Sequence, residues 1–469
     1  MNEGKRLLKN TGLIAIGNTS TKIVSFFLLP LYTALLSKEE YGVIDYIMSI
    51  VSFLVPFVNL LMDESIFRFL LDCKNDIDKK RVISSTVFTV FMGLSLLLLI
   101  SIPVGIFKDI RYFWFVIAYV TVTALSGILS SLLRGIGRTD QFTFYNFCNS
   151  VANITLNVVF IAYFFMGVDG MLFAALISSL INSVSFFFSL KLYQYINYKY
   201  FDKNLIKEML AYSIPLIPNK ISWNIINLSN RIIIMDTIGS AAAGLFAIAN
   251  KFPGLMDTVY GFFYQAWKES SARVIGEDKQ EDFYNSIYRA LKDFLFSFVL
   301  LLIASMPLAF HLLINKAYHE ALLYVPPLLL GTYFSNISGF YGGIFTAYKD
   351  TKIMGTTTVV SAIVNIILNL ITIKYFGLWA ASISMMISTY IVYEYRRMKL
   401  VRYVSLQENL SDQLLSIAIA VVVLCLFYSN NLMCYALGMF VSILYSIVSN
   451  REILNRIFII IKRKVQKGR

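Results

Sequence analysis

Fourteen long apolar stretches run through this 469-residue chain, and its basic residues collect in every second gap between them. A hydrophobic run of roughly 20 residues crosses a hydrocarbon core of about 30 Å as a helix, because there its backbone hydrogen bonds must be satisfied internally. The stretches lie near 11–36, 41–71, 82–107, 112–133, 143–166, 171–190, 209–237, 241–267, 293–313, 322–347, 353–375, 377–395, 412–428 and 432–449. The N-terminus, the even-numbered gaps and the C-terminus hold 31 of the 41 Lys and Arg residues, whereas the odd-numbered gaps hold five, counting Lys374 with the loop it borders. Such alternation sets orientation: both termini are expected on the cytoplasmic side of the cell membrane. A soluble helical bundle has no reason to sort its charges this way. The expected fold class is therefore an all-α, multi-pass membrane protein with 14 transmembrane helices.

The formal charge of +13 then gives no ground for a nucleic-acid partner, because its excess sits in cytoplasmic loops and in a basic tail where topology and anionic lipid account for it. Cys73, Cys148, Cys425 and Cys434 show no CxxC spacing, so neither disulfides nor a metal site are expected. The apolar run after MNEGKRLLKN is too long for a signal-peptide core and is read as a retained first helix. Gaps are short throughout, leaving no soluble domain to hold an active site. Gly135 and Gly137 lie in a turn between helices, without the strand a nucleotide fingerprint requires. No catalytic residue, cofactor or enzymatic activity is expected, and function has to sit between the helices.

An internal repeat organises the chain. Asn153–Asn157 (NITLN) matches Asn365–Asn369 (NIILN), and Gly170–Ser178 answers Gly377–Ser384. Upstream, Arg138–Asp140 and Lys349–Lys352 hold equivalent places. The period is six helices, so both halves insert with the same orientation. This predicts two pseudo-symmetric six-helix lobes, residues 1–200 and 201–400, with a site between them, and an appendix at 401–469 of two further helices and the basic tail.

Intramembrane charge is costly and faces protein or water. In span two Asp45, Ser49, Ser52, Pro56, Asn59 and Asp63 fall at steps of four and three, one line along a helix. Span seven repeats the pattern with Lys220, Asn224, Asn227 and Arg231, and span eight with Asn250, Pro253, Asp257, Tyr260 and Tyr264, Lys251 lying one residue off. Span one carries Asn18, Lys22 and Ser25. The intramembrane bases Lys22, Arg68, Lys220, Arg231 and Lys251 all fall in these four spans, with five of the nine prolines. The economical expectation is a hydrated, cationic cavity walled by spans one, two, seven and eight. Alternative readings are a local Glu64–Arg68 ion pair, solvated ends for Asp45 and Asp236, and helix–helix hydrogen bonding by the stripes. A cationic chamber suits an anionic, phosphate-bearing cargo.

Asn18–Asp45, Asp63–Leu70 (DESIFRFL), Tyr212–Asn219 (YSIPLIPN), Ser229–Ile234 (SNRIII), Ala243–Pro253 (AGLFAIANKFP) and Gln265–Ala272 (QAWKESSA) resemble the bacterial polysaccharide-unit flippases of O-antigen and capsule type. These belong to the multidrug/oligosaccharidyl-lipid/polysaccharide (MOP) exporter superfamily. The resemblance covers nearly the whole chain; single motifs are loose, and their order and spacing make the match specific. It implies an undecaprenyl-pyrophosphate-linked oligosaccharide moved to the outer leaflet by alternating access, with the last two helices supporting the polyprenyl tail. In one departure, relatives often carry an acid where this chain has Asn230.

On this reading Lys22, Arg68, Lys220, Arg231 and Lys251 meet the pyrophosphate. Asn18, Asn224, Asn227, Tyr260 and Tyr264 meet sugar hydroxyls, and Asp63, Glu64 and Asp257 are candidates for proton or sodium coupling or for gating. Expected partners are the lipid-linked substrate, membrane lipid and glycan polymerases. The rivals are a multidrug or metabolite antiporter on the same fold, a lipid II flippase, a membrane glycosyltransferase, and a scaffold for glycan assembly.

Overall fold

A computed structural model describes residues 26, 28–189, 191–276, 278–348, 350, 352–407, 409–451, 454 and 455. Asn18 and Lys22 lie outside these residues. The described residues are helical and contain no strand, and they divide into two compact units, 1–244 and 245–469. Eight helices are long and apolar enough to cross a membrane by length and composition, among the described residues.

Unit 1 begins with α1 (Leu29–Leu35) and α2 (Lys38–Asn59). The sequence SKEE starts α2 with a capping box: Ser37 Oγ accepts from the Glu40 amide at 3.1 Å, and Glu40 Oε2 accepts from the Ser37 amide at 2.8 Å. Span two is not one helix. Leu60 and Leu61 both adopt left-handed backbone (φ 50° and 52°), and a separate α3 (Met62–Asp72) follows. The polar line expected from Asp45 to Asp63 is therefore broken after Asn59. The Asn59 side chain accepts from the Leu61 amide at 3.0 Å and donates to Asp63 at 3.3 Å, bridging the break.

Next come α4 (Asp76–Phe107), α5 (Phe113–Gly135), and α6 (Thr139–Asn157) continuing as a π-helical turn over Val158–Tyr163. The unit continues with α7 (Gly167–Ser189), α8 (Lys203–Ser213) and α9 (Ile217–Thr237). Span seven is likewise divided: a 3-10 turn at Ile214–Leu216, around Pro215, separates α8 from α9. Its core is aliphatic, with Met62 and Ile66 of α3 packed against Val120 and Leu133 of α5.

Span eight is split at Asn250 into α10 (Ser240–Ala249) and α11 (Lys251–Arg273), the latter in unit 2. There follow α12 (Gln280–Leu313), α13 (Val325–Ala347), α14 (Lys352–Phe376), α15 (Leu378–Leu400), α16 (Leu410–Tyr428) and α17 (Leu432–Ser449). α13 is buried on nearly every side and packs on both α11 and α15. Gly339 and Gly343, one turn apart, let the Tyr260 and Trp267 rings of α11 lie directly on its backbone.

The repeat read from sequence carries matching hydrogen bonds. In unit 1 Asn153 Nδ2 donates to Ser178 Oγ at 3.0 Å, and in unit 2 Asn365 Nδ2 donates to Ser384 Oγ at 3.5 Å. Unit 1 ends at Gly244 and includes α9, which packs on α2.

Candidate functional site

Two helices of unit 1 build a polar cavity of about 340 Å³, lined by Asp45, Met48, Ser49, Ser52, Asn224, Asn227 and Arg231. These are residues of the α2 and α9 stripes, brought together because both helices expose the same four-and-three spacing to each other. Pro56 has no N–H and leaves the carbonyl of Ser52, four residues earlier, without its helical donor. Asn224 Nδ2 fills that place at 2.8 Å. Asn224 is thus a cap for a proline-freed carbonyl as well as a wall of the cavity.

Arg231 is held by a carboxylate from the other helix. Its Nε donates to Asp45 Oδ2 at 2.9 Å, and its Nη1 donates to the Asn227 carbonyl at 3.0 Å. Side-chain exposures of 12% for Arg231 and 17% for Asp45 keep the pair largely out of bulk solvent, where its attraction is less screened. The expectation that Asp45 is a solvated helix end is corrected: it is the acid that neutralises Arg231. The carboxylate that holds Arg231 is supplied from α2.

A second charged group in unit 1 gathers Asp63 and Glu64 in the first turn of α3. Lys220 of α9 and Arg134 of α5 lie within their electrostatic reach. The expected Glu64–Arg68 pair is also corrected. Arg68, half exposed, bonds Asp72 at 2.7 Å, one turn further along. Arg134, one residue beyond the expected span 112–133, lies in the last turn of α5. Its guanidinium lies over the Phe67 and Phe142 rings at 5.2 and 5.4 Å and donates to Ser131 at 2.9 Å, while its Nε is buried without an acceptor. A Ser three residues before an Arg at a helix end was the available sequence signal.

The remaining candidates fall in unit 2. Lys251 opens α11, half-buried, and Asp257 is exposed two turns on. Tyr260 is 8% exposed, with its ring stacked on Tyr264 at 5.6 Å and its hydroxyl against Gly339, so it faces the helix packing of its own unit. Beside these tyrosines lies Arg396 of α15, which sequence reading placed in a loop. It is 3% exposed and has no acidic partner among the described residues. It donates instead to Thr357 Oγ1 (2.9 Å), Ser338 O (3.0 Å), Thr358 Oγ1 (3.1 Å) and Met354 O (3.3 Å), tying α15 to α13 and α14. No group of three or more His, Cys, Asp and Glu side chains suited to a metal ion occurs among the described residues.

The model of a family described as polysaccharide biosynthesis proteins matches residues 7–267, more than half of the chain. The chain belongs to that family. The α2–α9 cavity of unit 1 falls within the matched stretch. Solved structures of transporters share the fold of this family member. Lipid II flippase MurJ in an inward closed conformation matches with a TM-score of 0.70 at 16% identity, over 95% of this chain and 99% of that one. A multidrug resistance MATE family transporter of the MOP superfamily, inward-facing, gives 0.67 at 14% identity over 83% and 98%. The outward-facing form of such a transporter gives 0.59 at 14% identity over 85% and 96%. No curated protein sequence gives a significant match.

Proposed function

We propose that the chain is a flippase that carries an undecaprenyl-pyrophosphate-linked oligosaccharide unit from the cytoplasmic to the outer leaflet, by alternating access, for surface polysaccharide synthesis. The observation that carries this reading is an arginine in a polar intramembrane cavity of a polysaccharide-biosynthesis family member. The Asp45 carboxylate already forms with Arg231 the contact a phosphate oxygen would make. On this reading the pyrophosphate displaces Asp45 from Arg231 on entry, and Asp45 reclaims the guanidinium on release. The exchange swaps one anion for another, so the cation is never left uncompensated in the low-dielectric interior.

Lys220, exposed at the start of α9, is the first cation the cargo meets, and Lys22 and Lys251 add to the attraction. Arg68, bound to Asp72 at the surface, serves capture rather than passage. Asn227, exposed in the cavity wall, is the sugar contact best supported by its place. Asn18, Asn224, Tyr260 and Tyr264 remain secondary candidates, Asn224 and Tyr260 because packing already engages them. The Asp63–Glu64 group, close to Lys220 and Arg134, is the place proposed for proton or sodium coupling, ahead of Asp257. Glycan polymerases are the proposed downstream partners.

Transport of an organic cation in the manner of a multidrug transporter is the main rival. Purified protein in proteoliposomes separates the two. Translocation of a lipid-linked oligosaccharide, much slowed in Arg231→Gln, supports the flippase; cation export with no lipid-linked glycan movement overturns it.

A further inference from the structure

Unit 2 holds three adjoining cavities, of about 220, 460 and 370 Å³, to which neither the pyrophosphate nor the sugars of the cargo have been assigned. Asp293 of α12 lines all three. The smallest is walled by aromatic rings: Phe296 meets Tyr333 and Tyr445 at 5.4 and 5.8 Å, and Phe334 meets Tyr390 at 5.0 Å. The larger two have polar walls that include Arg289, Gln407 and Arg451. A chamber with aromatic walls, joined to polar and charged ones, is the shape of a site for an amphiphile.

Two acceptors at the mouth lack donors. Asn450 is 9% exposed and its Nδ2 donates to Ser297 Oγ at 2.9 Å, yet its Oδ1 is buried with no hydrogen-bond partner. The Asp293 carboxylate, half-buried, accepts no hydrogen bond from any described residue, with Lys292 and Arg289 acting on it only at longer range. Beside the half-buried Asp293 carboxylate, the buried Asn450 Oδ1 is costly unless a ligand or water supplies a donor. An ammonium group offers three.

The charges around the cavities are balanced. Arg289, Lys292, Arg397 and Arg451 face Asp282, Asp293, Glu394 and Asp412, with Glu394 already bound to Arg397 at 2.9 Å. A net-neutral wall favours a zwitterion over a purely anionic headgroup, for which basic pockets are the usual solution. Leu415 and Ile417 of α16 line the same cavities and are 57% and 59% exposed, so the chamber opens onto an apolar helix face. On the topology read from charge, this end of the unit is cytoplasmic.

We propose that these cavities bind one aminophospholipid of the inner leaflet, its ammonium on Asp293 and Asn450, its phosphate on Arg289 and Arg451, and its glycerol end along the aromatic chamber. The site is independent of the cargo cavity in unit 1, and only the choice of leaflet rests on the charge-derived topology.

The test uses the full chain in nanodiscs of equal phosphatidylethanolamine, phosphatidylglycerol and phosphatidylcholine, released into native mass spectrometry to count retained lipids. Phosphatidylethanolamine should be retained about tenfold over the other two, the worth of one or two charge-assisted hydrogen bonds that a quaternary ammonium cannot make. Asp293→Asn and Asn450→Leu should each bring the three lipids close to parity, and Arg289→Gln with Arg451→Gln should reduce retention of all three. Equal retention of phosphatidylcholine, preference for phosphatidylglycerol, or an Asp293→Asn variant with wild-type selectivity overturns the site. The lipid comparison needs no substitution, so it stays decisive if a variant misfolds. Lipid retention is read without glycan transport, so it also stands or falls apart from the flippase reading.

Discussion

Arg231 and Arg396 show how differently a buried cation can be accommodated. Arg231 has a carboxylate partner and a cavity beside it; Arg396, 3% exposed, has no acidic partner among the described residues and is satisfied by hydroxyls and carbonyls. Removing the acid from the first pair leaves an uncompensated guanidinium, so Asp45→Asn should lower stability by about 1–3 kcal/mol. The double variant Asp45→Asn with Arg231→Gln should recover part of that loss, measured by thermal unfolding in detergent. If the double variant is no better than the sum of the singles, the pair is not coupled. Arg396→Lys cannot reach four partners on two helices and should cost about 2–4 kcal/mol, while transport by the folded fraction stays near normal. Residue chemistry was legible in part. The steps from Lys220 to Arg231 pointed to the cavity wall, but the Asp45 partner lies 186 residues away and no local pattern names it. Arg396 was hidden because it sits beside Arg397 at a helix end, and its partners Thr357, Thr358 and Ser338 acquire meaning only when three helices meet.

Helix breaks are the main departure from the simple spans. Those in spans seven and eight fall next to Pro215, Pro218 and Pro253, residues that forecast a kink. The break in span two falls on two leucines, which have no preference for left-handed backbone, so its position was not readable. Leu60→Gly should relieve about 1 kcal/mol of that strain and raise the unfolding temperature; a fall would show that the leucine side chain contributes more than the strain costs. At the start of α2 a crossing with α10 is set by glycine. A Cβ on Gly42 would strike the Ser240 carbonyl, and one on Gly244 would strike that of Lys38, each carbonyl four residues before the opposing glycine. The contact is reciprocal, as expected if Gly42 and Gly244 occupy matching places in the repeat. Gly42→Leu or Gly244→Leu should force these segments apart, and cross-linking of cysteines placed at 38 and 240 should fall sharply. Undiminished cross-linking would show that the close approach does not depend on glycine.

At the scale of the whole molecule, hydropathy and charge alternation identified a helical membrane protein, and the family match agrees with the resemblance carried by the order and spacing of the motifs. The Asn153–Ser178 and Asn365–Ser384 bonds follow the same pattern in the two units, an amide withdrawn from solvent finding a hydroxyl on the next helix. The exact list of spans was less legible, since polar, proline-broken helices fall below any hydropathy threshold while still lining the site. The most direct test of the central claim is translocation by the purified chain in proteoliposomes loaded with an undecaprenyl-pyrophosphate oligosaccharide, read by accessibility of the glycan to an external glycosidase. The account predicts transfer across the bilayer by the unaltered chain and a roughly ten- to hundredfold slower rate in Arg231→Gln, the value of its charge-assisted bonds to phosphate. Equal rates for the two proteins, or no transfer above protein-free vesicles, would contradict it.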